Sequence, residues 1–321
     1  PSPTLMEGKN QTPIMELILI GFGNGPELQP LLFLVFLVIY IVAVSGNLLI
    51  IVLVVADPHL HIPMYYFVAN LSSVETCYIS TTLPRLLASL LTEDRTISLQ
   101  NCIVQFLFYI MLSNAECLLL TVMCCDRYLA ICHPLRYPTL MNGRVCGQIV
   151  AGCWIFGISY CIILQTFLMQ LTYCGSEVFD HFFCDFASDG LFCGETKTLK
   201  WLTFVLSVML SLGSFLVTLA TYICIIATIL RIPSSTGKQK AFSTCSSHLI
   251  VVAVYYVSGL TIYVLSLFQA PAILYKILSV TSTVLIPLIN PLIYCLRNKE
   301  VHQALRKALM KLVDFRHRHG M

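Results

Sequence analysis

The chain predicts an all-α membrane protein: a seven-transmembrane helix bundle followed by a short C-terminal amphipathic helix. Three observations carry that reading. Of 321 residues, 57% are hydrophobic and only 11% charged, and the mean hydropathy is +0.83, outside the range of soluble domains. A bilayer core takes about 20 apolar residues per helix, and seven runs follow one another, at 28–56, 64–91, 99–125, 144–170, 199–230, 244–267 and 273–296. The connections are short except for 171–198, and no linker divides the chain. The predicted organisation is an N-terminal tail at 1–27, one seven-helix bundle at 28–296 and a terminal segment at 297–321.

Residues 1–27 lack a basic stretch followed by a short apolar core, so no cleavable signal is expected and the first helix serves as signal anchor. Lys and Arg resist translocation. With the N-terminus outside, thirteen of the nineteen basic residues lie inside and ten of the sixteen acids outside. The chain is therefore expected to be a multi-pass cell-membrane protein with its C-terminus cytoplasmic. The "NQT" at Asn10 is a glycosylation acceptor on the expected outer side.

The second run carries Glu75 and Pro84, and the third carries Glu116. Ionisable groups inside a bilayer are costly and functional by default. The two glutamates lie at comparable depth, and like charges that close share a proton or hold a cation. A buried sodium ion or shared proton at Glu75 and Glu116 is the expectation. Along the third run Tyr109, Ser113, Glu116 and Leu120 recur at helical spacing, with Asn114 alongside. Asp126 and Arg127 follow where this apolar run ends. Neighbours in a helix point about 100° apart, so the two are not expected to form a simple helical pair. Asp126 is instead expected to steady the Arg127 backbone region and side chain in the resting state.

Cys102 opens the third run, and Cys174, Cys184 and Cys193 lie in the long loop. Four cysteines on an oxidising side imply two disulfides, with three possible pairings. The remaining cysteines sit in or near apolar helices as small hydrophobes, and no spacing fits a zinc site. Tyr256, Gly259 and Tyr263 form a stripe on the sixth run, and Thr283, Pro287 and Asn290 one on the seventh. Converging, these stripes enclose an apolar outer-half cavity with a few hydroxyls, suited to a small, largely neutral ligand. No carboxylate lies outward of Glu116 on the third helix, which argues against an amine ligand. After the seventh run, Val301, Leu305, Leu309 and Leu312 recur among Lys and Arg, as in a helix lying on the inner membrane surface.

Five stretches carry a resemblance: "SGN" at 45–47, "LHIPMYYF" at 60–67, "DRYLAICHPLRY" at 126–137, "KAFSTCSSHL" at 240–249 and "PLINPLIYCLRNKEV" at 287–301. In this order and on these sides, the chain resembles the rhodopsin-like G-protein-coupled receptors and, among them, the olfactory receptors. The loop with "HFFCD" at 181–185 resembles the land-vertebrate class. Departures are "VMCCDRY" where the family often has "MAYDRY", and Glu75 where it often has Asp.

The resemblance implies disulfides Cys102–Cys184 and Cys174–Cys193. It places the odorant against Tyr109, Ile110, Ser113, Asn114, Leu206, Ser207, Leu210, Tyr256, Gly259, Tyr263 and Thr283. Asp126, Arg127, Tyr128, Tyr222, Lys240, Asn290, Pro291 and Tyr294 become the switch and coupling residues, with Arg127 free to swing toward Tyr222 or Tyr294. Arg136, Arg231, Lys238 and Lys240 would flank the crevice for a stimulatory G protein that raises cyclic AMP. No cofactor beyond a possible allosteric sodium ion, no nucleic-acid partner and no catalysis are expected: the chain has no nucleotide-binding glycine loop, metal-ligand cluster or Ser-His-Asp set. The internal repeats usual in transporters are absent as well.

Overall fold

In the computed structural model, residues 16–22, 25, 27–170, 172–173, 178–184, 192–193, 197–267, 271–297 and 299–318 are described. Seven long helices follow in order: α1 (Gln29–Ala56), α2 (Pro63–Thr92), α3 (Leu99–Cys132), α4 (Gly143–Leu168), α5 (Lys197–Arg231), α6 (Ser235–Leu267) and α7. The last is continuous through Ala272–Val280, a π-helical turn at Thr281–Leu285, and Ile286–Arg297. A further helix, α8 (Lys299–Arg318), ends the described chain.

Among the described residues, five helices are apolar and long enough to cross a membrane. Of the other two, α2 holds buried Ser72, Glu75 and Thr82, and α6 has an apolar stretch at His248–Ile262 among the described residues. The outward faces are apolar, as with Leu31, Val52 and Val55 on α1, which suits lipid contact.

Local chemistry sets the helix ends. Proline at the first turn suits the starts of α1 and α2, where an N–H has no intrahelical partner. Ser98 and Asn142 cap α3 and α4 by accepting from the Asn101 and Val145 N–H groups. The third apolar run ends at 125, but α3 continues to Cys132. Its charges are paired there, and it stops only at His133, where the following Pro134 disfavours helical backbone.

Pro84 and Pro291 lie inside continuous helices. Pro291 cannot donate to the Pro287 carbonyl one turn earlier. Asn47 Nδ2 on α1 donates to that carbonyl instead, at 3.0 Å. A Cβ at Gly46 would stand 3.2 Å from Pro291 Cβ, so α1 and α7 meet closely here.

Short strands cap the end of the bundle where α1 begins. β1 (Glu16–Leu19) pairs antiparallel with β2 (Thr96–Ser98) and parallel with β4 (Val178–Phe179). β3 (Thr172–Tyr173) pairs antiparallel with β5 (Phe192–Cys193). At the opposite end α8 turns Val301 and Ala304 into the core, with Leu305 packed against it, while Leu309 stays 55% exposed. The predicted apolar stripe is thus rotated, with alanines taking part of the buried face. Leu312 has no described side chain.

Candidate functional site

The residues singled out in the sequence gather at three levels. At the end capped by the strands, Cys102 on α3 and Cys184 in the long loop form a disulfide. The Cys184 N–H donates to Gln105 Oε1 at 3.0 Å, and Gln105 Nε2 donates to the Thr81 carbonyl at 2.9 Å. The loop is thereby fixed to α3 and α2. Phe183 packs tilted against Tyr109 at 4.8 Å, and Tyr109 stacks on Tyr78 at 5.2 Å. Asn10 and Cys174 lie outside the described residues; of Cys193, Lys240 and Tyr263 only the backbone is described.

Ile110 packs into the outer apolar cluster. Ser113 is half-buried, and the buried Asn114 Nδ2 has no hydrogen-bond partner among the described residues. Ser207 lies 3.1 Å from the Tyr160 hydroxyl. Leu210 is half-buried, Leu206 is exposed, and the space beside Gly259 is open to 4 Å. Thr283 is fully buried and donates to the Ser279 carbonyl at 2.7 Å, so its hydroxyl is engaged within α7. The Tyr256 hydroxyl lies 3.4 Å from both Thr121 and Thr218. That joins α3, α5 and α6 at a level inward of Glu116.

In the middle, Asn47, Glu75, Glu116 and Asn290 are all buried. Asn290 Nδ2 donates to Glu75 Oε1, and the Glu116 carboxyl lies within electrostatic reach of Glu75. Asn47 Oδ1, Glu75 Oε2 and Glu116 Oε1 have no donor among the described residues. Buried acceptors without donors are expensive. A bound proton or a small hard cation is the chemistry that fits three such oxygens. No group of three or more His, Cys, Asp and Glu side chains suited to a metal occurs among the described residues, so any cation here leans on the asparagine as well.

At the opposite end, Arg127 folds back on its neighbour: Nη2 and Nε donate to Asp126 Oδ2 at 2.6 and 3.1 Å. Asp126 thus holds the Arg127 side chain despite their adjacency, because the long guanidinium arm spans the 100° offset that the backbone imposes. Tyr137, in a helical turn at Tyr137–Leu140, donates to Asp126 Oδ1 at 2.8 Å. Burial, and then the Asp126 charge, holds this phenol protonated well beyond its ordinary range, as a donor must be. Tyr222 on α5 stands 2.7 Å from His248 Nδ1 on α6. His248 Nε2 and the Tyr294 hydroxyl are buried without partners among the described residues. Tyr222, His248 and Tyr294 all lie within electrostatic reach of Arg127. Tyr128 meets His133 Nε2 at 3.1 Å, and Leu135 beside it is 94% exposed.

Asn47, Tyr137 and His248 were given no role in the sequence reading, although all three fall within the quoted motifs. For Asn47 and His248 a signal existed: each is a polar residue inside an apolar run, where membrane helices carry few without reason. Tyr137 had no such signal.

The olfactory receptor family model matches residues 36–312. Human olfactory receptor 6Y1 is 41% identical over 311 residues, covering 95% of this chain and 94% of the relative. Human olfactory receptor 6T1 is 44% identical over 305 residues, with coverage of 95% and 94%. Olfactory receptor 226 of Rattus norvegicus is 40% identical over 314 residues, with 95% of each chain covered. The helical membrane bundle and a family match over most of its length lead to one conclusion: the chain belongs to the olfactory receptor family of seven-helix, G-protein-coupled membrane receptors, and it is a receptor rather than an enzyme.

Proposed function

We propose that this receptor binds small, volatile, largely neutral organic molecules in the outer half of the bundle and activates a stimulatory G protein to raise cyclic AMP. The observation that carries the ligand class is the chemistry above Glu116. Tyr109, Ser113, Asn114 and Ser207 are uncharged hydrogen-bonding groups set among apolar side chains, and α3 offers no carboxylate there to hold an amine. The N-terminus faces outside and α8 lies on the cytoplasmic surface, in keeping with the charge asymmetry. The tail at 1–27, bundle at 28–296 and end segment at 297–321 are the corresponding units.

The ligand acts by population shift, stabilising the arrangement it fits better. In the closed arrangement Arg127 is held by Asp126, and Asp126 by Tyr137. Opening frees Arg127 to meet Tyr222 or Tyr294 and clears an inner crevice for a G-protein helix. Exposed Leu135, Arg136 and Arg231 border that crevice, with Lys238 and Lys240 beside it in sequence. Glu75 and Glu116, with Asn47 and Asn290, hold a sodium ion or share a proton that favours the closed arrangement.

The test is a cyclic AMP assay in cells expressing the full chain, run against a broad odorant panel. Concentration-dependent cyclic AMP production that vanishes when the stimulatory G protein is deleted supports the reading. Responses confined to charged amines, or carried by another G-protein class, overturn it.

A further inference from the structure

Lys276 stands near the outer start of α7 and is only 6% exposed. Lysines are almost never buried unless paired. Its Nζ donates to Asp180 Oδ1 at 2.5 Å and to the Gly21 carbonyl at 2.8 Å. Gly21 sits at φ 65, where a side chain would strain the backbone, and its own N–H donates to the His181 carbonyl at 3.1 Å. One ammonium therefore ties together three remote pieces of chain: the segment after β1, the outer loop and α7. One turn further along α7, Ser279 Oγ lies 3.3 Å from His181 Nε2.

Asp180 and His181 lead directly into Phe182 and Phe183, which are 2% and 1% exposed. Phe182 stacks on Phe22 at 5.4 Å, and Phe183 covers Tyr109. This aromatic wedge is held at both ends by different means. Cys184 bonds it covalently to α3, whereas Lys276 and Ser279 hold it to α7 by polar contacts alone. The α7 end is the releasable one.

We propose that Lys276 is a positioning residue for odorant access: by clasping Asp180 and Gly21 it seats the Phe182–Phe183 wedge over Tyr109 and sets how readily a ligand enters from the outer side. The inference rests on the reading that the odorant lies inward of Tyr109. Loss of the clasp should free the wedge at one end while the disulfide keeps the loop attached.

Hydrogen–deuterium exchange on the full-length receptor in lipid nanodiscs tests the clasp without any odorant. Lys276→Met should speed exchange across 178–184 by tenfold or more, and Lys276→Arg should leave it near wild type. Asp180→Asn alters the half-exposed partner, whose side chain is 53% accessible, and should act in the same direction without burying a new group. Unchanged exchange in both Lys276→Met and Asp180→Asn overturns the clasp. With an odorant active on the wild type, Lys276→Met should shift the half-maximal concentration or the onset time at least fivefold at matched surface level, with Lys276→Arg restoring both. Faster exchange with unaltered potency and onset overturns the access role. A wild type silent to every odorant counts against the underlying reading instead, and the clasp then stands or falls on exchange alone.

Discussion

Tyr137 donates its hydroxyl to Asp126 Oδ1 while Arg127 occupies Oδ2 of the same carboxylate. The resting hold on Arg127 thus has three members, and the third comes from the connection between α3 and α4. Hydrogen bonds to charged groups contribute about 1.5–3 kcal/mol. Tyr137→Phe should therefore raise ligand-independent cyclic AMP output severalfold at equal surface level. Unaltered basal output would place Tyr137 outside the switch.

Arg127 is 12% exposed and directed at Asp126. If it is the output group, Arg127→Ala should abolish odorant-evoked cyclic AMP while surface staining of the receptor persists. Retained signalling would reduce Arg127 to an interfacial anchor.

Three buried oxygens at this site, one on each of the Glu75 and Glu116 carboxyls and Oδ1 of Asn47, have no donor among the described residues. Replacing one carboxyl with an amide removes the like charge and supplies a donor. Glu116→Gln should flatten the dependence of activation on external sodium and pH; a dependence identical to wild type would remove the proton or cation from this site.

Asn47 Nδ2 satisfies the Pro287 carbonyl that Pro291 leaves without a donor. Truncating it strands a buried acceptor, at about 1–3 kcal/mol. Asn47→Ala should lower the melting temperature of the purified receptor by several degrees, and a melting curve superimposable on wild type would show that another group takes over the carbonyl.

His181 accepts the Phe183 N–H through Nδ1, so a proton there breaks the bond and adds a cation near Lys276. Burial first, and then Lys276, lowers its pKa to about 4 from an ordinary 6.5, with Asp180 opposing. Docking of the wedge is then at full strength above pH 6.5 and weakens as pH falls toward 4, because the undocked loop binds the proton more readily. Exchange across 178–184 should accelerate over that interval in the wild type and much less in His181→Asn.

The number and order of the helices and the polar positions in the bundle were legible in the sequence. A bilayer imposes length and apolarity on each span separately, and those properties can be read one segment at a time. Glu75 and Glu116 announced themselves for the same reason: a carboxyl in an apolar run has few innocent explanations. Partner choice was decided only by the tertiary structure. Lys276 finds Asp180 across 96 residues and Gly21 across 255, and a segment read as tail becomes β1 between β2 and β4. α3 runs beyond its hydrophobic stretch with Asp126 ion-paired to Arg127 and hydrogen-bonded by Tyr137, and local hydropathy cannot register that pairing. Hydropathy and charge are sums over neighbours in sequence, whereas a hydrogen bond depends on which side chains the packed helices bring within about 3 Å of one another.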